Sequence, residues 1–267
     1  MSGLTPDHGA ASGLDHVGIV GADLDALAEA FSGLGFALTP RAAHASGRTA
    51  NRCVMLRDGG YLELIATVPG QASGTIDRFL TRGAGAHILA LEVDDLNAAR
   101  DRLGRAGIEA GDVSITERDA SPDGARARFG LLMPPDSPDG RILLIRHLTR
   151  DLLWQPAYTA HPNHAVALTE AVYATAFPAE TMTRLSRLSG RTAEPDPLGG
   201  YRVPLARGCL RVLPLAAGAR MFPGSDGGPA LIGPSLIGLT IAVESSGDPG
   251  QIARVGGVAI RFVAARP

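Results

Sequence analysis

The chain repeats one short pattern at a fixed spacing, and this repeat constrains the fold more than any other feature. An apolar, β-branched stretch at 14–20 is followed by the pair Asp23-Leu24 and then by Gly35. The same order returns as Asp95-Leu96 and Gly107, each 72 residues further on. A repeat of this length predicts two copies of one supersecondary unit. One copy alone cannot cover its sheet, so we expect the copies to pair.

Each copy reads as one strand, one helix and three further strands. In the first copy, Asp23 is a suitable N-cap for a helix whose apolar side chains recur at helical spacing up to Phe31. Strands are predicted at 52–56 and 61–66, joined by a tight turn at 58–60. In the second copy, strands are predicted at 86–91, 127–133 and 141–145, so the unit is βαβββ.

Two weaker copies follow in the second half of the chain. A third copy begins at 163–168, with a predicted helix from about Pro178 to Gly190. A fourth begins at 235–241 and is short, with a predicted helix at 250–255 and a strand at 258–264. We place the boundary between halves at 149–162, which holds the single tryptophan, and predict units at 13–150 and 151–267.

Composition excludes several classes of function. The 267 residues are 45% hydrophobic, which suffices for a buried core, and the net charge of −2 has no basic stripe for nucleic acid. Lysine is absent, which excludes Schiff-base chemistry, and the two distant cysteines suit neither a disulfide framework nor a thiolate zinc site. No apolar run predicts a membrane span, and the first residues do not resemble a signal peptide, so we expect a cytoplasmic protein.

Four segments carry a resemblance to a known superfamily. They are Leu14-Asp15-His16-Val17-Gly18-Ile19, Asp23-Leu24-Asp25, Leu34-Gly35-Phe36 and Tyr61-Leu62-Glu63-Leu64-Ile65. Together they resemble the vicinal oxygen chelate (VOC) superfamily, which includes glyoxalases, bleomycin-resistance proteins and extradiol dioxygenases. With 49–53, they are also similar to its glyoxalase-like domain branch. The resemblance is good over 13–148 and weaker over 161–267.

The resemblance implies an α+β fold in which tandem βαβββ modules pair into cupped mixed sheets with the helices outside. Here it implies two module pairs, of which the second is degenerate and has a truncated fourth module. In the superfamily the cup holds a divalent metal, with ligands on the first and last strand of each module. These positions are His16, Glu63 and His87, whereas the fourth falls in the apolar centre of 141–147.

Two imidazoles and one carboxylate suit Fe, Mn, Zn, Ni or Co, and they leave coordination positions open for water or substrate. The missing fourth ligand bears on the reaction, because glyoxalase I-type isomerisation, as the resemblance describes it, uses a metal-bound carboxylate as base. The apolar side chains at 143–145 cannot serve as that base. We therefore do not expect an ordinary glutathione-dependent lactoylglutathione lyase.

Four other residues are predicted to bind substrate. Asn51 and Arg52 adjoin the Glu63 hairpin and could bind a carboxylate, although a surface hairpin is the alternative. Arg128 could belong to an anion-binding wall, although a solvated sheet edge is the alternative. His147 is the one side chain near the missing fourth position that could reach the site, and His44, in a polar loop, is given no role.

The second half serves as an internal control for the metal site. The spacing of His16 to Glu63, applied from His164, arrives at Arg211, and the fourth copy has Ile237 at the histidine position. A cation at the carboxylate position opposes metal binding. We interpret the second half as a structural or substrate-covering half without metal.

These observations favour a metal-dependent dioxygenase, lyase or hydrolase that acts on a small oxygenated molecule. The alternative is a metal-free protein that binds or sequesters a small molecule, as bleomycin-resistance proteins do. A third possibility is a degenerate member kept for protein contacts. Only 4% of the residues are aromatic, which favours the enzyme over a binder of flat drugs. The short fourth module leaves an open sheet edge, which predicts a homodimer.

Overall fold

The computed structural model describes residues 9–119, 124–223, 235–244 and 247–266. Its first half contains eight strands and three helices in two successive modules. The first module comprises β1 (Gly13–Val20), α1 (Leu24–Gly33), β2 (Ala42–Ala43), β3 (Thr49–Met55) and β4 (Tyr61–Thr67). After α2 (Gly74–Leu80) comes the second module, with β5 (Gly85–Glu92), α3 (Leu96–Arg105), β6 (Ser114–Asp119), β7 (Arg126–Leu132) and β8 (Arg141–His147).

A short connection carries the 3₁₀ turn Arg150–Leu152 and α4 (Pro156–Thr159) into the second half. The third module contains β9 (Ala165–Thr175), α5 (Pro178–Ser189), β10 (Glu194–Pro195), β11 (Tyr201–Pro204) and β12 (Cys209–Pro214). The remainder is α6 (Leu215–Met221), β13 (Ser235–Val243), β14 (Ile252–Val255) and β15 (Val258–Ala264). The βαβββ order and the truncated fourth module are as predicted.

One local prediction is wrong. The segment 250–255 is predicted as helix, but its residues Ile252–Val255 form the strand β14, which pairs antiparallel with β15. Gly256 and Gly257 connect the two strands, and both have positive φ, at 56° and 78°. Two such residues form the turn that matches the twist of a two-residue hairpin.

Pairing of the strands builds a cup from each pair of modules. In the first half, β1 pairs antiparallel with β5, and each also pairs in parallel with the last strand of its module, β4 or β8. The bridge between His44 and Arg118 joins the two ends of this curled sheet. In the second half, β9 pairs with β13, and these pair in parallel with β12 and β15.

The helix boundaries follow from local chemistry. Asp23 and Asp95 cap α1 and α3 by accepting hydrogen bonds from the first free backbone amides. Gly190, with φ of 70°, ends α5 in the left-handed conformation. The apolar stripes of these three helices join the largest buried cluster, which also includes strand residues of both halves. The helices therefore cover the outer faces of the sheets.

The interiors of the two cups differ. The second contains a small apolar cluster in which Ala217, Met221 and Phe222, from α6 and its end, pack against Val172 and Ala259. The first contains an apolar cluster that includes Phe79 of α2 and Leu153 of the connection, together with several buried polar side chains. Candidate chemistry is therefore concentrated in the first cup.

None of the described helices combines the length and the apolar character that a membrane crossing requires.

Candidate functional site in the first cup

A β-bulge in β1 positions two consecutive polar side chains at the site. The register of β1 with β5 shifts between Leu14 and His16, which leaves Asp15 as the extra residue. Asp15 is fully buried, and His16 is 4% exposed. The His16 Nδ1–H donates to Asp15 Oδ1 at 2.7 Å, so Asp15 fixes the orientation of the imidazole.

The other ring nitrogen of His16 faces Glu63 on the neighbouring strand. Nε2 lies 3.8 Å from Glu63 Oε2. Because Nδ1 carries the proton donated to Asp15, Nε2 of a neutral His16 presents a lone pair to a carboxylate oxygen. Two acceptors at this separation are favourable with a proton on Nε2, a bound cation or a donating water between them.

Glu63 is also held by two side chains from the edge of the same module. Asn51 Nδ2 donates to Oε1 at 2.6 Å, and His44 Nε2 lies 3.3 Å from the same oxygen. Burial alone would raise the pKa of Glu63, but the hydrogen bond and charge of His44, with His16 and Asn51, lower it to about 2. Glu63 is therefore ionised throughout the physiological range.

His44 was given no role from the sequence, yet its Nε2 points to Glu63. Its Nδ1 is hydrogen-bonded to Thr49 Oγ1 at 2.8 Å, and a hydroxyl can partner either tautomer. His16 and His44 thus share one arrangement, in which Nδ1 is held by a neighbour and Nε2 is directed to the carboxylate. The sequence signal that could have indicated this role is the position of His44, a few residues before the strand β3 that pairs with the Glu63 strand.

His147 occupies the opposite side of Asp15. Its Nε2 donates to Asp15 Oδ2 at 3.1 Å, and its ring packs edge-on against Trp154 and Phe129. Burial would raise the pKa of Asp15, but His147 and His16 hold it well below its usual range. His147 Nδ1 is buried with no hydrogen-bond partner among the described residues, and the same is true of Asn51 Oδ1.

His87 makes its contacts elsewhere. Its Nε2 is hydrogen-bonded to Gly83 O at 2.8 Å, and its ring stacks on Phe79. The register of β1 with β5 explains why His87 is directed elsewhere. His16 pairs with Ala90 and Gly18 pairs with Ile88, so the two strands are related by a local twofold that exchanges His16 with Ile88. The residue of β5 that corresponds to His16 is therefore Ile88, 72 positions on, and His87 corresponds to Asp15 as the extra residue of the second bulge. The role of His87 as a ligand stays a prediction.

The two predicted arginines have other partners. Arg52 Nε donates to Thr39 O at 3.0 Å, so it ties its strand to the preceding loop. Arg128 is exposed, and its Nε lies 3.2 Å from Glu117. Neither contact is with the Glu63 group. The fourth ligand position is occupied by Leu143. This residue pairs with Ala90 in the second module, and Glu63 pairs with the equivalent Gly18 in the first.

The second cup carries an ion-pair group at the corresponding positions. By register, Glu170 and Arg211 correspond to His16 and Glu63. Arg211 donates two hydrogen bonds to Asp196, at 2.8 and 2.9 Å, and a further one to Glu170 at 3.2 Å. His164 lies before β9, and its φ of 59° is the only positive value at a described non-glycine residue.

The geometry fits a divalent ion in part. Donor atoms bonded to one tetrahedral ion at about 2.1 Å stand about 3.4 Å apart. The Glu63 oxygens lie 3.3 and 3.8 Å from the two imidazole nitrogens, close to that separation. In the described part of the chain, however, no three His, Cys, Asp or Glu side chains are already spaced to hold a metal ion.

A cupped pair of βαβββ modules with buried His and Glu side chains at its centre is the architecture of the VOC superfamily. The family model of the glyoxalase-like domain matches residues 14–189, and the chain belongs to this family. No curated protein sequence matches the chain.

Solved structures share the fold at low sequence identity. A hypothetical protein from Staphylococcus aureus is similar with a TM-score of 0.70 and 12% identity, over 94% of this chain and 99% of that one. A mutant of 4-hydroxymandelate synthase from Streptomyces coelicolor is similar with a TM-score of 0.58 and 18% identity, over 88% of this chain and 72% of that one. A xylose isomerase-like TIM barrel/4-hydroxyphenylpyruvate dioxygenase fusion protein is similar with a TM-score of 0.54 and 14% identity, over 92% of this chain and 39% of that one. These similarities show the fold.

Proposed function

We propose that the first cup is the active site of a divalent-metal-dependent enzyme that acts on a small oxygenated molecule. The observation that carries the proposal is the pair formed by His16 and Glu63. The imidazole lone pair and the carboxylate face each other at 3.8 Å, while Asp15 holds the other ring nitrogen. A carboxylate that orients an imidazole from behind is the usual outer support of a metal-bound histidine.

His16, Glu63 and His44 are the proposed ligands. His44 is favoured over His87 because its Nε2 already lies against Glu63, whereas that of His87 is hydrogen-bonded to a backbone carbonyl. Binding would draw the two imidazoles together around the carboxylate. His44 is the side chain with room to move, since it is 33% exposed. Imidazole and carboxylate ligands leave Fe, Mn, Zn, Ni and Co open.

A metal bound there would polarise a carbonyl group or lower the pKa of a water molecule. The protein's own groups would orient the substrate. Asn51 Oδ1 and His147 Nδ1 are buried acceptors without a partner among the described residues, and a substrate hydroxyl would have to displace the groups that cover them in order to donate to either. Trp154 and Tyr61 pack around His147 and exclude water from this side. A glutathione-dependent lactoylglutathione lyase is not proposed, because Leu143 stands where the fourth ligand is expected.

Metal titration of matched variants tests this proposal. The wild-type protein, stripped with a chelator and titrated calorimetrically with Zn²⁺ and Mn²⁺, is expected to bind about one ion per chain. His44→Ala and Glu63→Gln should weaken binding by more than about 100-fold, because even the outer partners of ligands account for 10–100-fold. His87→Ala is the matched control and should bind as wild type.

Two results would contradict the proposal in different ways. Loss of binding in His87→Ala, with normal binding in His44→Ala, would restore His87 as the ligand and remove His44. Absence of metal binding in the wild-type protein would refute the metal-dependent enzyme altogether.

The second candidate function is metal-free binding of a small molecule, as in bleomycin-resistance proteins. The apolar residues at two of the four ligand positions, Ile88 and Leu143, favour it. Under this alternative, small ligands would raise the melting temperature of the protein equally with and without a chelator.

A further inference from the structure

Arg118 is a buried cation with no acidic partner among the described residues. It is 6% exposed and lies in β6, where its backbone bridges to His44 across the closure of the first cup. Its Nη2 is 3.6 Å from Cys53 Sγ, and its guanidinium carbon lies 5.7 Å from the centre of the Phe129 ring. No carboxylate of the described residues is within salt-bridge distance of it. By contrast, Arg41, Arg126 and Arg184 each form a salt bridge with a carboxylate.

Neither of these contacts neutralises the guanidinium. Burial raises the pKa of the Cys53 thiol to about 11, so the sulfur is an uncharged, weak acceptor. The contact with Phe129 is a cation–π interaction, which satisfies no N–H group. Nη2 is the Arg118 nitrogen with a hydrogen-bond partner among the described residues, so a ligand could complete the other N–H groups.

Arg118 also lines a cleft of about 400 Å³ at the closure of the cup. Leu153 and Tyr158 form an apolar wall of this cleft, and Arg41 and Asp119 lie at its exposed part. Leu153 and Arg118 connect the cleft to the cup, since Leu153 belongs to the apolar cluster of the cup and Arg118 touches Cys53 there. A ligand in the cleft would therefore reach from Arg118 towards the group around Glu63.

We propose that the cleft binds a small molecule with one carboxylate, which Arg118 anchors by paired hydrogen bonds while the rest of the molecule extends towards Glu63. This inference rests on the proposed function for the reactive end of the substrate, and it adds the substrate class. Guanidinium and carboxylate match in shape, because two parallel N–H groups meet two oxygens.

The charges favour a singly charged carboxylate over a phosphate. Among the described residues that line the cleft, Arg118 is the one buried cation, and a single carboxylate neutralises it. A phosphate dianion would need a second cation, but Arg41 is directed to Asp25 at 3.4 Å and Asp119 would repel the extra charge.

The test compares small carboxylates with their uncharged amides on the full chain. Benzoate, phenylacetate and lactate, each paired with its amide, and inorganic phosphate are titrated up to about 10 mM, with heteronuclear NMR as the readout. At least one carboxylate is expected to bind, with its amide weaker by about ten- to a hundredfold, the value of a hydrogen-bonded charge. Equal binding of acid and amide, phosphate as the tightest ligand, or no carboxylate binding at all would overturn the proposal.

Two variants locate the anchor. Arg118→Met should lose the preference for the acid, whereas the matched control Arg41→Met, in the same cleft, should keep it. Because removal of a buried arginine can unfold a protein, Arg118→Lys is made in parallel and should retain part of the preference. Acid preference that survives in folded Arg118→Met would overturn the assignment. Zn²⁺ affinity measured on these variants separates the two proposals, since acid binding without any metal binding would refute only the metal site.

Discussion

The buried carboxylate of Asp15 offers a quantitative test of how the site is supported. In Asp15→Asn the shape is kept, but the two hydrogen bonds from His16 and His147 lose their charged acceptor. A hydrogen bond to a charged group contributes about 1 kcal/mol more than a neutral one, so the loss is about 2 kcal/mol for the two bonds. Asp15 is 0% exposed, so water does not screen this difference. For a chain of this size, the melting temperature should fall by about 4–8 °C.

The same substitution should weaken metal binding by about 10–100-fold, because Asp15 holds the Nδ1 proton of His16 and so keeps Nε2 free for the metal. Calorimetric titration with Zn²⁺ and thermal denaturation measure the two effects separately. Asp58→Asn is the matched control, since Asp58 accepts hydrogen bonds only from backbone amides, those of Gly60 and Leu168. It should keep its metal affinity. If Asp15→Asn loses stability yet binds Zn²⁺ as wild type, the orienting role of Asp15 is refuted.

Three further predictions concern the second half. Arg211→Met leaves Glu170 and Asp196 without their cation and should cost about 3 kcal/mol in urea denaturation; wild-type stability would show that the group contributes nothing. Burial would raise the pKa of Asp196, but the hydrogen bonds from Arg211 lower it, so its contribution is present above the usual carboxyl pKa and is lost as pH falls through the lowered value. The stability gap between wild type and Asp196→Asn should therefore shrink below about pH 4, and a constant gap would contradict this. Phe222→Ala empties a fully buried position against Gly238 and should cost about 3–5 kcal/mol without changing Zn²⁺ affinity, which titration of the variant checks.

The module order could be predicted because its signals are local and repeated. Asp23 and Asp95 begin their helices and Gly190 ends α5, as the cap chemistry requires. The short fourth module lacked such redundancy. The pair Gly256-Gly257 directly follows 252–255 and marks a hairpin. Here the turn chemistry was the better predictor, and the helix assigned by analogy with the other copies was wrong.

The site was predictable only as far as the repeat preserves register. His16 and Glu63 lie on strands that pair in parallel within one module, and the structure brings them together. His87 was assigned by matching residue type across copies, 71 positions from His16, whereas the other markers repeat at 72. A shift of one residue moves a strand side chain to the other face, so the spacing and the residue type point to two different residues of β5, Ile88 and His87.

His44 was beyond the reach of sequence periodicity for a different reason. It follows a strand of only two residues, β2, within a stretch of small and polar residues that carries no alternating pattern. Its position depends on long-range pairing, because β2 lies beside β3 and His44 bridges to Arg118 of the second module. Contacts that arise when a sheet curls closed depend on the curvature of all its strands, which no local window records.

The two cups show how one scaffold assigns one pair of positions to chemistry and another to stability. In the second cup the carboxylate position holds Arg211, whose guanidinium is satisfied by Glu170 and Asp196, and α6 packs its apolar residues into the interior. Each of these three charged groups therefore has an internal partner. In the first cup His16 Nε2 faces a carboxylate. Among the residues that the structure describes, Asn51 Oδ1 and His147 Nδ1 are buried acceptors without donors, and Arg118 is a donor without a carboxylate. Buried polar groups are rarely left unpaired unless a ligand, ion or water completes them. A cation at Glu63 together with an anion at Arg118 would complete two of these four pairings, and a donor to each of the two acceptors would complete the rest.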